Sequence, residues 1–319
     1  MDSLLKTPIL LIGFNRPDNL QKVFDQVKIA KPQKLYIAID GARENKQGEY
    51  ELTISCQNIV KQINWDCNLH TLFRKKNVGC ALGVSGAISW AFENEDRLII
   101  LEDDCVPMQS FFTFCDEMLE RYKDDTRVWQ IGGRSYHQHS KFFNDADYLF
   151  SHYCHIWGWA TWKRCWNHFD IKIPDCGEYL RLGGSTNVFQ SQYLARKSNK
   201  ALENLYRNID KVSSHTWDYQ WSYIKVKNGA LGIIPCSNLV LNIGAVGTHT
   251  GGVEWEDYLT VSEMPDVIRH PKFIIDNAAY DLYHAKHHIY KKPNIIIRIL
   301  NKSYRIIKSL CHTKYLFSI

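Results

Sequence analysis

Four short apolar runs alternate with three helix-patterned stretches over the first hundred residues, and few folds accept that rhythm. Residues 9–14, 35–39, 69–73 and 97–101 have the length and aliphatic content of buried strands, while 18–29, 50–63 and 81–92 carry helical spacing. In the last of these stretches Ala81, Val84, Ile88 and Ala91 keep a single apolar stripe, as a helix covering a sheet should. The order βαβαβαβ predicts an α/β fold with a parallel, doubly wound sheet and helices on both faces. A chain of 319 residues can bury such a core as one elaborated domain or two closely joined ones.

The fourth run stops at Glu102, Asp103 and Asp104, at the strand end where an α/β sheet presents its ligand crevice. Three adjacent carboxylates repel one another unless a cation lies near. Mg²⁺ or Mn²⁺ carrying a substrate diphosphate meets that need, because these hard cations take one or two protein carboxylates and complete their shell with water and phosphate oxygens. A solvated acidic turn is the alternative for such a triplet in isolation.

Three further motifs fall on the same edge of the predicted sheet. Phe14, Asn15 and Arg16 follow the first run, where Pro17 and Asp18 can open a helix whose N–H groups face the crevice. Asp40 and Gly41 follow the second run, a carboxylate suited to accept hydrogen bonds from a base or ribose. Arg74, Lys75, Lys76, Asn77, Val78 and Gly79 follow the third, with Gly83 and Gly86 beyond; cations and small residues suit close approach of a diphosphate. A plain turn explains the first or second motif alone about as well, so the weight rests on their coincidence.

After about residue 125 the alternation fades and aromatic density rises, with Trp129, Trp157, Trp159, Trp162, Trp166, Trp217 and Trp221 all in this half. Indole faces stack on sugar rings, which suits an acceptor site, and core packing explains each tryptophan equally well. With no internal repeat, low-complexity tract or polar linker, a boundary near residue 130 marks a change of role within one compact body.

Taken together, Phe14–Asn15–Arg16–Pro17, Asp40–Gly41, Arg74 with Asn77–Val78–Gly79, and Leu101 followed by Glu102–Asp103–Asp104 resemble the nucleotide-sugar half of the GT-A glycosyltransferases. The acidic triplet is similar to the form found in the N-acetylglucosaminyltransferase I group and related bacterial surface-glycan transferases. The resemblance implies a Rossmann-like mixed sheet flanked by helices, with 1–130 binding the nucleotide-sugar and 131–285 binding the acceptor and carrying out catalysis. It places the metal on Asp104, with Glu102 and Asp103 nearer the sugar and ribose. Trp157–Gly158–Trp159 and Trp217–Asp218–Tyr219–Gln220–Trp221 resemble later family segments, which makes Asp218 the general base. The family pattern has an acidic pair where this chain has Asp218 and Tyr219, so Asp257, Asp170 and Glu178 stay open as bases.

The loop from Asn242 to Gly252 carries His249, a candidate metal or phosphate ligand; His152, His155 and His215 are weaker ones. The implied activity is a metal-dependent, inverting transfer from a UDP-sugar, with UDP-GlcNAc as the expected donor and Mn²⁺ or Mg²⁺ as cofactor, to a glycan or lipid-linked acceptor of surface polysaccharide or lipopolysaccharide synthesis. A catalytically silent nucleotide-sugar or glycan-binding protein is a competing reading. A sugar-phosphate nucleotidyltransferase is another, although the Gly-rich, basic activation segment expected after its first strand is missing.

Net charge is only +5, but no acidic residue follows Asp281, while Lys286, Lys291, Lys292, Arg298, Lys302, Arg305, Lys308 and Lys314 do. Residues 286–319 therefore read as a basic amphipathic tail suited to an anionic membrane surface, with a docked terminal helix as the alternative. No nucleic-acid motif accompanies it. Ten cysteines without a CxxC pair, and an N-terminus without signal-peptide features, predict a cytoplasmic protein, peripheral on the inner face of the plasma membrane.

Overall fold

Eight strands form one mixed sheet in the order β3-β2-β1-β4-β8-β6-β9-β7. The computed structural model describes residues 5–213, 215–244 and 259–290. Its first half runs β1 (Ile9–Gly13), α1 (Pro17–Ala30), β2 (Lys34–Ile39), α2 (Glu49–Gln57), β3 (Asn68–Phe73), α3 (Gly79–Ala91) and β4 (Arg97–Glu102). Next come β5 (Cys105–Pro107), α4 (Gln109–Arg121), β6 (Val128–Gly132), β7 (Tyr148–Ser151), β8 (Trp159–Trp162) and α5 (Lys163–Trp166). The remainder is α6 (Cys176–Arg181), α7 (Gln192–Arg207), α8 (Ile209–Val212), α9 (Asp218–Lys227), β9 (Leu231–Pro235), β10 (Val240–Asn242) and α10 (Ala278–His284). Met1–Asp281 groups as one compact unit and Leu282–Ile319 as another, whose described part, 282–290, ends in a π-helical turn.

The four predicted strands pair in parallel, and the central ones are buried on both faces. In β1 every residue of Ile9–Gly13 is buried, with Ile9 opposite Leu35 of β2 and Ile99 of β4, as an aliphatic parallel strand requires. Helix α1 buries Leu20, Val23, Phe24 and Val27, the i, i+3, i+4, i+7 stripe of a sheet-covering helix. The second predicted helix is shorter than its apolar pattern suggests. It ends at Gln57, and a 3₁₀ turn (Asn58–Gln62) follows, whose tighter coil keeps Cys56 and Ile59, three apart, on one buried side.

Beyond β4 the sheet becomes mixed: β8 lies antiparallel to β4, with Ile100 opposite Trp159, and to β6, whereas β6 and β9 pair in parallel. The tryptophans of this half are core. Trp129, Trp159, Trp162, Trp166, Trp217 and Trp221 are all buried, so the expectation of an indole-lined acceptor surface does not hold for these six. Trp159 stacks on Trp217 at 5.7 Å, and Trp221 lies 5.4 Å from Trp166 and 6.1 Å from Trp129. Large apolar area is worth more between β8 and α9 than in water, and Trp221 Nε1 still finds a partner, donating to Gln130 Oε1 at 3.0 Å. Only Trp157 of this set is half-buried, with the Arg134 guanidinium 4.9 Å over its ring.

Two stability predictions follow from this packing. Trp221→Ala should cost about 3–5 kcal/mol in chemical denaturation, since it empties the centre of the cluster. The second concerns Asp147, which precedes β7. Burial alone would raise its carboxyl, but hydrogen bonds from the Arg269 backbone N–H (2.8 Å), Nε (3.2 Å) and Nη2 (2.6 Å) outweigh burial and hold it below the usual carboxylate range. A depressed native value adds stability at neutral pH that is lost as pH falls through the unfolded and then the native value. The stability gap between wild type and Asp147→Asn should therefore shrink from about pH 5 downward in urea titrations.

Candidate functional site

Strand order reverses between β1 and β4, which are neighbours in the sheet although three helices and two strands separate them in sequence. In an open α/β sheet the loops leaving such a pair diverge to opposite faces and leave a crevice at their carboxyl ends. Arg16, just before α1, reaches across it. Its Nη2 donates to Asp103 and, at 2.9 Å, to Asp104 Oδ2. The Phe14 backbone N–H donates to Asp103 Oδ2 at 3.4 Å.

The electrostatics of the triplet are uneven. Lost hydration, then the Asp104 and Asp103 charges, push the Glu102 carboxyl well above the usual range. Burial and Asp104 also raise Asp103, against the opposing pull of Arg16. The Arg16 guanidinium is itself held in its charged form by the two carboxylates, which overcome its burial. Asp104 is the more open of the paired acids, its side chain 18% exposed against 5% for Asp103.

A small second sheet fixes the far side of the triplet. Strand β5 pairs antiparallel with β10, setting Asn242 opposite Cys105, and the Ile243 N–H donates to the Asp104 carbonyl at 2.8 Å. Gly244 follows so closely that a Cβ there would stand 2.4 Å from Asp104 Oδ2, so any larger residue must displace that carboxylate. Sequence reasoning singled out this loop for its histidine and missed the glycine. His249 and Asp257 lie outside the described residues.

Asp40 is engaged within the protein at the end of β2. Its carboxylate accepts from Asn77 Nδ2 at 2.9 Å, and from the Val78 and Gly79 N–H groups at 3.2 Å, so it caps α3 from the end of β2. Gly41 lets the two loops touch, because a Cβ there would meet the Lys76 backbone at 2.5 Å. Arg74 lies along α3, donating to the Gly83 carbonyl at 3.2 Å, with its other terminal nitrogen 3.1 Å from where a Gly86 Cβ would be. Those small residues make room for Arg74. Asn15 is tied to buried Glu49 (2.9 Å), which Arg43 also grips while lying 5.5 Å over the Phe14 ring. Neither Glu49 nor Arg43 carries a motif signal, since both act only through this contact.

Asp218 opens α9, half-buried and accepting from Thr216 Oγ1. It lies within electrostatic reach of Glu102, whose upward shift it reinforces. The other carboxylates considered are occupied at the surface: Asp170 accepts from the Lys172 N–H at 2.8 Å, and Glu178 pairs with Arg181 at 3.3 Å. His155 lies tilted against Tyr136 at 4.7 Å, His215 is exposed and His152 is buried elsewhere, against Phe189.

Asp103 and Asp104, both gripped by Arg16, offer carboxylate oxygens of the kind that a hard divalent cation takes. Arg16 supplies part of the missing positive charge. Arg16→Ala should therefore cost about 3 kcal/mol in denaturant unfolding, and Mn²⁺ should restore more stability to the variant than it adds to the wild type.

No protein-family model matches the chain, and no curated protein matches it. Among solved structures it is similar to S. aureus TarS residues 1–349, with TM-score 0.34 and 9% identity, covering 49% of this chain and 47% of that one. It is also similar to HddC from Yersinia pseudotuberculosis, with TM-score 0.27 and 9% identity, covering 39% of this chain and 56% of that one. The chain thus spans about half the length of each structure it resembles.

Proposed function

We propose that the protein is a metal-dependent glycosyltransferase acting on a UDP-sugar, with UDP-GlcNAc the first donor to test. The observation that carries this reading is the meeting of Arg16, Asp103 and Asp104 across the β1/β4 crevice, with Asp218 close enough to feel Glu102. Such a crevice takes a nucleotide at its strand ends, and the acids and arginine together suit a diphosphate bridged by a cation.

In the inverting displacement Asp218 accepts the proton of the acceptor hydroxyl, whose oxygen forms a bond to the anomeric carbon as the bond from that carbon to the diphosphate breaks. Arg16 is positioned to offset charge gathering on the departing diphosphate. A divalent cation on Asp104, when bound, supplies Lewis-acid stabilisation of that leaving group. Asp40 and Asn77 hold the loop before α3, and Glu49 holds Asn15, so these residues shape the walls against which the nucleoside would lie. Residues 286–319 would bring the enzyme to an anionic membrane carrying a lipid-linked acceptor; from 291 onward they lie outside the described residues.

Thermal shift with UDP-sugars and GDP-mannose, with and without Mn²⁺, tests the reading together with nucleotide release. Metal-dependent stabilisation by a UDP-sugar is expected. Asp104→Ala should lower kcat/KM roughly a hundredfold or more, and Asp218→Asn should lower kcat on the order of 10²–10⁴-fold while donor binding persists. Absence of any response to the nucleotide-sugars would refute the assignment, and binding without turnover would point to a binding protein.

A further inference from the structure

A second group of metal-ligating side chains lies at the opposite end of the sheet. Strand β7 is the edge strand, four positions along from β4, or roughly 19 Å at the usual strand spacing. Just after it comes His152, and packed beside it are Asp276 and Asp281, the latter on α10. One ligand atom from each of the three lies within 4.8 Å of the others.

From this geometry we infer that His152, Asp276 and Asp281 form a structural site for a divalent cation of the zinc class. Two of the three ligands are already oriented by neighbours. His152 Nδ1 meets the Ala230 carbonyl at 3.2 Å, and Asp281 accepts from Ser151 Oγ and from the His152 backbone N–H at 3.2 Å. That is the outer support ligating histidines and carboxylates usually have. His152 as a residue is only 9% exposed, and its other ring nitrogen has no hydrogen-bond partner among the described residues.

Charge points the same way. Two carboxylates face each other here, and buried Lys225, which donates to Gln130 Oε1 at 2.6 Å, acts on Asp281 less strongly than Asp276 does, so their charge is only partly offset. An imidazole with two carboxylates favours Zn²⁺ over Mg²⁺ or Ca²⁺, which prefer all-oxygen shells. Asp276 is half-buried, which leaves an entry path. A bound ion would strengthen a contact already begun by the Phe150–Asp276 bridge and by the Asn277 N–H donating to the Phe150 carbonyl at 2.8 Å. It would thereby staple residues 276–281 to the sheet edge.

The test is Zn²⁺ calorimetry and thermal melting on the metal-stripped full chain carrying Asp104→Ala, so that the crevice is silenced. One Zn²⁺ equivalent should disappear on adding Asp276→Asn or His152→Gln, together with the Zn²⁺-dependent rise in Tm, while Ser151→Ala should weaken that equivalent roughly 10–100-fold. Asp276→Asn alters a partly exposed side chain without changing its shape, so it keeps the test decisive should His152→Gln fail to fold. An unchanged Zn²⁺ stoichiometry in Asp276→Asn, or a parent protein that binds no Zn²⁺, would overturn the inference.

Discussion

Mutual repulsion among Glu102, Asp103 and Asp104 is the constraint to which the rest of the crevice answers. Three carboxylates at a strand end, partly stripped of water, are stable only if positive charge and N–H dipoles are brought to them. Arg16 and the Phe14 N–H arrive from β1, the adjacent strand, and strand adjacency alone makes that possible. Burial and the charges of their neighbours still leave the Glu102 and Asp103 carboxyls raised above the usual range.

Apolar packing sets the separation between the triplet and Asp218. Trp159 sits on β8, paired directly with β4, and stacks on Trp217, the residue before Asp218. Trp221, one turn further along α9, is pinned to Gln130 of β6. The tryptophans thus act as a rigid spacer between the strand that ends in the triplet and the helix that starts with the proposed base. A spacer of buried indoles changes length little, because interiors are close-packed and rotamers are locked.

Several polar residues at the strand ends bind other parts of the protein. Asp40 caps α3, Arg74 fits into the gap left by Gly83 and Gly86, and Glu49 organises Asn15 and Arg43. Contacts of this kind hold the loops at the strand ends in place, and loops already held lower the ordering cost of any ligand that binds there.

The βαβ rhythm by itself determined the parallel core, because a period of two against 3.6 and a strand buried on both faces are local properties of the chain. The acidic triplet could be read for the same reason: adjacent charges repel wherever they sit. Three matters belonged to tertiary structure alone. One is that Arg16 neutralises acids 87 and 88 residues away, which depends on β1 lying beside β4. Another is that the tryptophans face inward and Asp40 faces a helix end, since one residue type serves a sugar, a ligand or a core equally well until its neighbours are known. The last is that Gly244, with no side chain to signal anything, abuts Asp104, and that His152, Asp276 and Asp281 meet at an edge formed by β7. Close approach and charge compensation are relations between distant segments, and only the folded chain brings those segments together.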